Sequence, residues 1–285
     1  MQIQFNDLYS QYRELQEEID SAIKNTILSS NFVRGDEIKH FEQEFGSKSD
    51  SKHCISCANG TDALRIAMHA LGTPPNAEVI VPSHTWISTA SMVTESGGIP
   101  IFCDTTEHDF TIDCEQIEEL ITPKTVGIIP VHLFGQPADM ISIMALADKY
   151  GLWVIEDCAQ AHFAKIKQHQ VGKFGHVATY SFYPGKNLGA MGDAGAITTN
   201  NANLANKMRR FANHGGLKKG EHLIQGINSR LDTMQAAILR AKLSRVDNWH
   251  DKRVKVANLY YEKLKGISEL ILPRENPFTT HAWHL

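Results

Sequence analysis

Four stretches of this chain, EVIVPS (78–83), IPIFCDT (99–105), VGIIPVHLFG (126–135) and LWVIED (152–157), carry runs of consecutive apolar residues. A strand with one wet face alternates apolar and polar residues; a run that does not alternate has both faces covered, as strands of a parallel sheet do under crossover helices. The segments between them supply the helices: TDALRIAMHALG, SHTWISTASMVTESGG and DMISIMALADKYG. The expected class is therefore α/β, a mostly parallel sheet flanked by helices.

The flanking segments extend the pattern. LYSQYRELQEEIDSAIKNTIL places Leu8, Tyr12, Leu15, Ile19, Ile23 and Ile27 at helical spacing, and DEIKHFEQEFG predicts a second helix closed by Gly46. SKHCISCANG reads as a short strand ending at a glycine. Beyond Asp157, VATYSFYP and AGAITTN read as strands and NANLANKMRRFANHGG as a helix. The stretch from Arg230 to Leu264 lacks proline and glycine and is predicted to run as one helix joining two domains. The expected boundary divides 1–235, a large domain, from 236–285, a connecting helix and the start of a smaller one.

Charge and composition exclude several function classes. Lys and Arg number 28 against 32 Asp and Glu, a formal net charge of -4, so no nucleic-acid partner is expected, and Lys218-Lys219 reads as a solvated turn. No apolar run approaches the roughly 18 residues that span a bilayer. The first twenty residues are polar and acidic, unlike a signal or transit peptide, so a cytoplasmic location is expected. The five cysteines are odd in number. Cys54 and Cys57 have C-x-x-C spacing but no second ligand pair, so buried thiols are expected rather than a metal or redox site.

Ligands of open parallel sheets bind beyond the carboxyl ends of the strands. Four groups are predicted at such ends: Gly60-Thr61, His84-Thr85-Trp86, Asp157, and Ser181 with Lys186. Gly60 permits close backbone approach, and the free N–H groups of a helix start attract an anion; Thr61 or Asp62 can instead simply cap its own helix. Asp157 closes an apolar strand, where a carboxylate needs a cationic or hydrogen-bonding partner, either a structural ion pair or a protonated heterocycle. Lys186 sits in SFYPGKNLGAMGD, which suits neither a helix interior nor a regular strand. An exposed lysine needs no such setting; a partly buried one has a lowered pKa and can condense with an aldehyde. Trp86 offers a flat surface, or a core aromatic at a helix start. Together these are the requirements of pyridoxal 5'-phosphate: an amine, a carboxylate for the ring nitrogen, a phosphate cup and a stacking face.

The chain resembles the sugar-nucleotide aminotransferases of the DegT/DnrJ/EryC1/StrS family, which use pyridoxal phosphate. The matching stretches run nearly end to end: FNDLYSQY, FVRGDEIKHFEQEF, NGTDAL, VPSHTWIST, PVHLFGQPADM, VIEDCAQAH, SFYPGKNLGAMGDAGAITTN, INSRLDTMQAAIL and HAWHL. The resemblance implies an aspartate-aminotransferase-type fold (fold type I) with a large cofactor domain and a small C-terminal domain, here cut short after HAWHL. It implies Lys186 as the catalytic lysine that holds the cofactor covalently, Asp157 as partner of the pyridine nitrogen and Gln160 beside the ring hydroxyl. Thr61 and Ser181, helped by the Gly60-Thr61-Asp62 backbone, match phosphate ligands, and Trp86 the stacking aromatic. Asn228 matches a phosphate ligand donated by a neighbouring subunit, with Arg230 beside it, which implies a homodimer with a shared site. SFYPGKNLGAMGD resembles the branch acting at C3 of a dTDP-linked 3-keto-6-deoxyhexose with L-glutamate as donor. Branches acting at C4 carry T-G-E-G-G after the lysine, where this chain has MGDAGA with Asp193. His132, His162 and His214 lie in or near these motifs and are expected to be walls rather than catalysts.

Overall fold

The computed structural model describes residues 4 to 285. Three helices open the chain, α1 (Leu8–Glu14), α2 (Gln16–Ser29) and α3 (Asp36–Lys48), followed by β1 (His53–Cys57) and α4 (Gly60–Leu71). The alternating stretch follows as β2 (Glu78–Pro82), α5 (Ser88–Glu95), β3 (Ile99–Cys103), α6 (Cys114–Leu120), β4 (Thr125–Ile128), α7 (Met140–Tyr150) and β5 (Trp153–Asp157). A small hairpin of β6 (Lys165–Ile166) and β7 (His169–Gln170) precedes β8 (Val177–Ser181) and β9 (Gly195–Thr199). The chain ends with α8 (Ala202–Ala212), α9 (Thr233–Leu243), α10 (Val246–Leu264) and β10 (Thr279–Thr280), which pairs with β6.

The main sheet has seven strands in the order β1-β9-β8-β5-β4-β2-β3. The pairings β2–β3, β2–β4, β4–β5 and β5–β8 are parallel; β9 alone runs against both of its neighbours, β8 and β1. All other strands therefore deliver their carboxyl ends to one edge. The apolar runs behave as their lack of alternation requires. In β2, Val79 and Val81 join the cluster with Ile66, Met68 and Met208, while Ile80 between them joins the opposite cluster with Phe41, Phe45 and Tyr180. β3 departs from this pattern: at the sheet edge, Ile99 and Phe102 are exposed.

Two predicted helices are broken. The N-terminal one divides at Leu15, whose backbone leaves helical geometry (φ -126°, ψ 22°) while its side chain is fully buried with Ile19, Ile238 and Trp249. The C-terminal one divides at Ser244 and Arg245. Ser244 Oγ donates to the Ala241 carbonyl, a local bond that bends helices, and the turn lets Leu243, Val246 and Trp249 all reach buried sites. The boundary expected at 235/236 falls inside α9, whose Ala236 and Leu239 belong to the main core.

Lys242 on α9 is 4% exposed and donates to the Gly189 carbonyl at 2.7 Å. Burial lowers its pKa to about 8 from 10.5. Between those values the unfolded chain binds more protons than the folded one, so this group makes stability rise with pH across that window. Denaturant titrations from pH 7 to 10.5 are expected to show this rise in the native protein and a flatter profile in Lys242→Met. Equal slopes would contradict it.

Candidate active site

A cavity of about 610 Å³ opens at the carboxyl edge, within the usual range for small-molecule sites. Gly60, Thr61, Trp86, Asp157, Gln160, Ser181 and Lys186 all line it. They arrive from the carboxyl ends of four strands, β1, β2, β5 and β8, or from the segments that follow them, which is why residues more than a hundred positions apart converge.

At the start of α4 the structure decides between the two roles open to Thr61. Asn59 is the cap: its side-chain oxygen accepts the Asp62 N–H at 2.8 Å. The Gly60 and Thr61 N–H groups precede the first intrahelical bond and are left to face a ligand. The Thr61 hydroxyl meets Ser88 Oγ at 2.8 Å rather than its own helix. Asp62, expected to help hold phosphate through its backbone, has its N–H committed to Asn59 and does not line the cavity. A Cβ on Gly60 would stand 2.7 Å from Ser181 Cβ, and one on Gly195 would stand 2.4 Å from the Asn59 carbonyl carbon and oxygen. The glycines thus let the α4 turn close on β8 and β9. Gly60→Ala is expected to cost about 1–3 kcal/mol through overpacking and to weaken cofactor binding by about tenfold or more. Fluorescence titration with pyridoxal phosphate measures this, and native affinity in the variant would remove Gly60 from the cradle.

Asp157 is 6% exposed. One oxygen accepts the Ala159 N–H at 3.1 Å and the other the Thr89 hydroxyl at 3.2 Å, and Thr89 is itself backed by Thr85 at 3.0 Å. Burial pushes the carboxyl pKa up, while the Ala159 N–H, the Lys186 amine and the Thr89 hydroxyl pull it back. Burial lowers the pKa of half-buried Lys186, and the Asp157 charge opposes that shift. The two groups are thus electrostatic neighbours in one cavity. Gln160 Oε1 accepts the Phe134 N–H at 2.6 Å, fixing its amide at the wall. Trp86 stands at the mouth, 72% exposed. Thr89 and Ser88 also line the cavity and contact Asp157 and Thr61 respectively, positions that sequence reasoning missed. The one available signal was their place in the first turn of the helix following the Trp86 loop.

Asn228 lies outside this cavity, exposed, in an isolated bridge with Asn213. Of the three histidines, His214 is exposed and outside the cavity. His162 is buried, with its pKa lowered to about 3 by burial and then by the nearby Lys186 charge, so its ring is neutral. His132 Nδ1 accepts the Ala138 N–H, so the ring proton sits on Nε2 and is given to Glu156 at 3.1 Å. With Cys158 these two residues form a compact buried group of metal-type donors. The His132 and Glu156 atoms are already engaged, because Glu156 also accepts the N–H groups of Gly172, Phe174 and Gly175. Cys54 and Cys57 are free and buried, and burial pushes both thiols up.

The residues fit pyridoxal phosphate on the structure's own terms. There is a buried carboxylate facing a cavity, an amine of lowered pKa beside it, and a helix N-terminus closed over by glycine. Such a fold and site define a pyridoxal-phosphate-dependent enzyme. The chain belongs to the DegT/DnrJ/EryC1/StrS aminotransferase family, whose profile matches residues 13–285. It is 42% identical over 283 residues to the dTDP-3-amino-3,4,6-trideoxy-alpha-D-glucose transaminase of Streptomyces venezuelae, covering 99% of this chain and 75% of that protein. It is 44% identical over 278 residues to the UDP-N-acetyl-3-dehydro-alpha-D-glucosamine 3-aminotransferase of Acidithiobacillus ferrooxidans, covering 98% and 75%. The crystal structure of S. venezuelae DesV in complex with a ketimine intermediate superposes with a TM-score of 0.97 at 42% identity, covering 99% of this chain and 76% of that one. The chain is thus a sugar aminotransferase that uses pyridoxal phosphate, and it spans about three quarters of the length of these relatives. Among the described residues, no helix is long and apolar enough to cross a membrane.

Proposed function

We propose that the protein transfers the amino group of L-glutamate to the C3 ketone of a dTDP-linked 3-keto-6-deoxyhexose. The observation that carries the chemistry is Lys186 and Asp157 facing one cavity at the carboxyl edge of the sheet. The cofactor would be held by Lys186 through its aldehyde, by Asp157 at its ring nitrogen, by Gln160 at its ring hydroxyl and by Trp86 against its face. Thr61, Ser181 and the Gly60 and Thr61 N–H groups would take the phosphate. When bound, the cofactor supplies an electron sink that stabilises negative charge at the carbon losing its proton. Lys186, once displaced by the donor, would be an amine whose charged form burial disfavours, and it would move the proton at that carbon. The Asp157 carboxylate would stand opposite the ring nitrogen and hold its proton in place. Thr89 and Ala159 keep the carboxylate aimed.

C3 is favoured over C4 by the MGDAGA stretch after the lysine and by the 3-amino products or 3-amino transfers named for both relatives above. These relatives differ in nucleotide, and the dTDP assignment rests on the SFYPGKNLGAMGD resemblance. In the proposed homodimer, exposed Asn228 completes the phosphate site of the partner copy, with Arg230 beside it. Assays with dTDP- and UDP-linked 3-keto and 4-keto sugars, with glutamate consumption as readout, test the assignment. The dTDP-linked 3-keto sugar is expected to have the highest kcat/KM, and a preference for a 4-keto or UDP-linked sugar would replace it.

A further inference from the structure

Lys186 lies in a connection, residues 182–194, that is neither helix nor strand. Three internal backbone bonds shape it: Phe182 N–H to Ala194 O, Ala190 N–H to Phe182 O, and Lys186 N–H to Tyr183 O, each 2.8 Å. Gly185, Gly189 and Gly192 lower its intrinsic stiffness. A segment so built does not by its own bonds hold an amine to the few tenths of an ångström that proton transfer requires.

Asn187, next to Lys186, is buried and donates to the Ala282 carbonyl at 2.7 Å. The glycine-bearing half of the connection beyond it is restrained from α9. Gln235 clasps the Met191 backbone in both directions: Oε1 accepts the Met191 N–H at 2.8 Å and Nε2 donates to the Met191 carbonyl at 3.1 Å. Two turns further along α9, Lys242 Nζ donates to the Gly189 carbonyl at 2.7 Å, out of contact with water. Packing does not explain a lysine there, since an apolar side chain of the same length would fill the space without burying an ammonium. α9 is itself immobilised by Ala236, Leu239 and Leu243 in the core and by Arg240 bound to Glu37 and Glu44 of α3.

We propose that α9 is a splint for the lysine-bearing connection, with Gln235 and Lys242 as positioning residues that set where the Lys186 amine stands. Neither residue lines the cavity. The proposal rests on Lys186 being the amine that carries the cofactor, and the test separates the two.

Hydrogen exchange is measured on the cofactor-free protein and on Lys242→Met and Gln235→Leu. In both variants the Lys186 and Ala190 amides are expected to exchange at least about tenfold faster, with β8 and β9 amides unchanged. The Met191 amide should also exchange faster in Lys242→Met, where its own bond to Gln235 is intact. After loading with pyridoxal phosphate, the pH titration of the visible absorbance band should shift by about half a pH unit or more in both variants, because the amine's surroundings change. Native exchange and a native titration in both would overturn the splint, as would equal loss of protection across the whole sheet in both. If wild-type protein forms no borohydride-sensitive visible band, the role of Lys186 fails, whatever the exchange data show.

Discussion

Turnover of cofactor-loaded Lys186→Ala is expected to fall by at least about 10⁴-fold, the scale seen when a group that is both nucleophile and acid/base is lost. The expectation follows from two duties placed on one atom. Nζ anchors the cofactor, and once displaced it moves the proton at the reacting carbon. Among the described residues no second amine lines the cavity, and the neutral His162 faces a different one, with Asn187 and Arg253. The fold should survive, because truncation removes a half-buried amine whose pKa is lowered by desolvation, a sign that its charge is not well compensated. Borohydride reduction followed by mass spectrometry should find the cofactor's mass on a Lys186 peptide of the native protein and nowhere on the variant. Retained turnover, or cofactor attached to another lysine, would sink the assignment.

Asp157→Asn should reduce turnover by about 10²–10⁴-fold with less effect on stability. Asparagine matches the carboxylate in shape, and its Oδ1 can still accept the Ala159 N–H. What it lacks is negative charge opposite the ring nitrogen, so protonation there is no longer favoured and the electron sink weakens. The stability effect has a definite sign. The folded carboxyl pKa lies above the ordinary 3.8, so as pH rises through that window the folded state binds more protons than the unfolded one. Ionised Asp157 therefore lowers the stability of the cofactor-free protein at neutral pH. The cofactor-free variant should melt at or above the native temperature, while its cofactor affinity and single-turnover rate fall. Normal single-turnover kinetics would remove Asp157 from the mechanism.

Asp157 and Lys186 were legible for the same reason: each contradicts its local surroundings. A carboxylate ending WVIED and a lone lysine among glycines are expensive placements that demand a partner. Thr89 carried no such contradiction, since a threonine in the first turn of a helix is ordinary. Its bond to Asp157 spans 68 positions and exists only because the end of β5 and the first turn of α5 meet at one edge. The two helix breaks were equally hidden: both segments have good helical periodicity, and the bends at Leu15 and Ser244 follow from what the neighbouring turns must bury.

Residue pattern alone settled the layered α/β architecture, because strands covered on both faces must be apolar throughout and helices covered on one must not. It also singled out Lys186 and Asp157 as candidates at the strand ends, because an amine among glycines and an acid closing an apolar strand stand out in the residue pattern itself. Folding in three dimensions decided which groups those side chains lean on: Asn59 rather than Thr61 as the cap of α4, and α9 reaching back to Gly189 and Met191. Those choices depend on distances between segments far apart in the chain, and local periodicity carries no information about such distances.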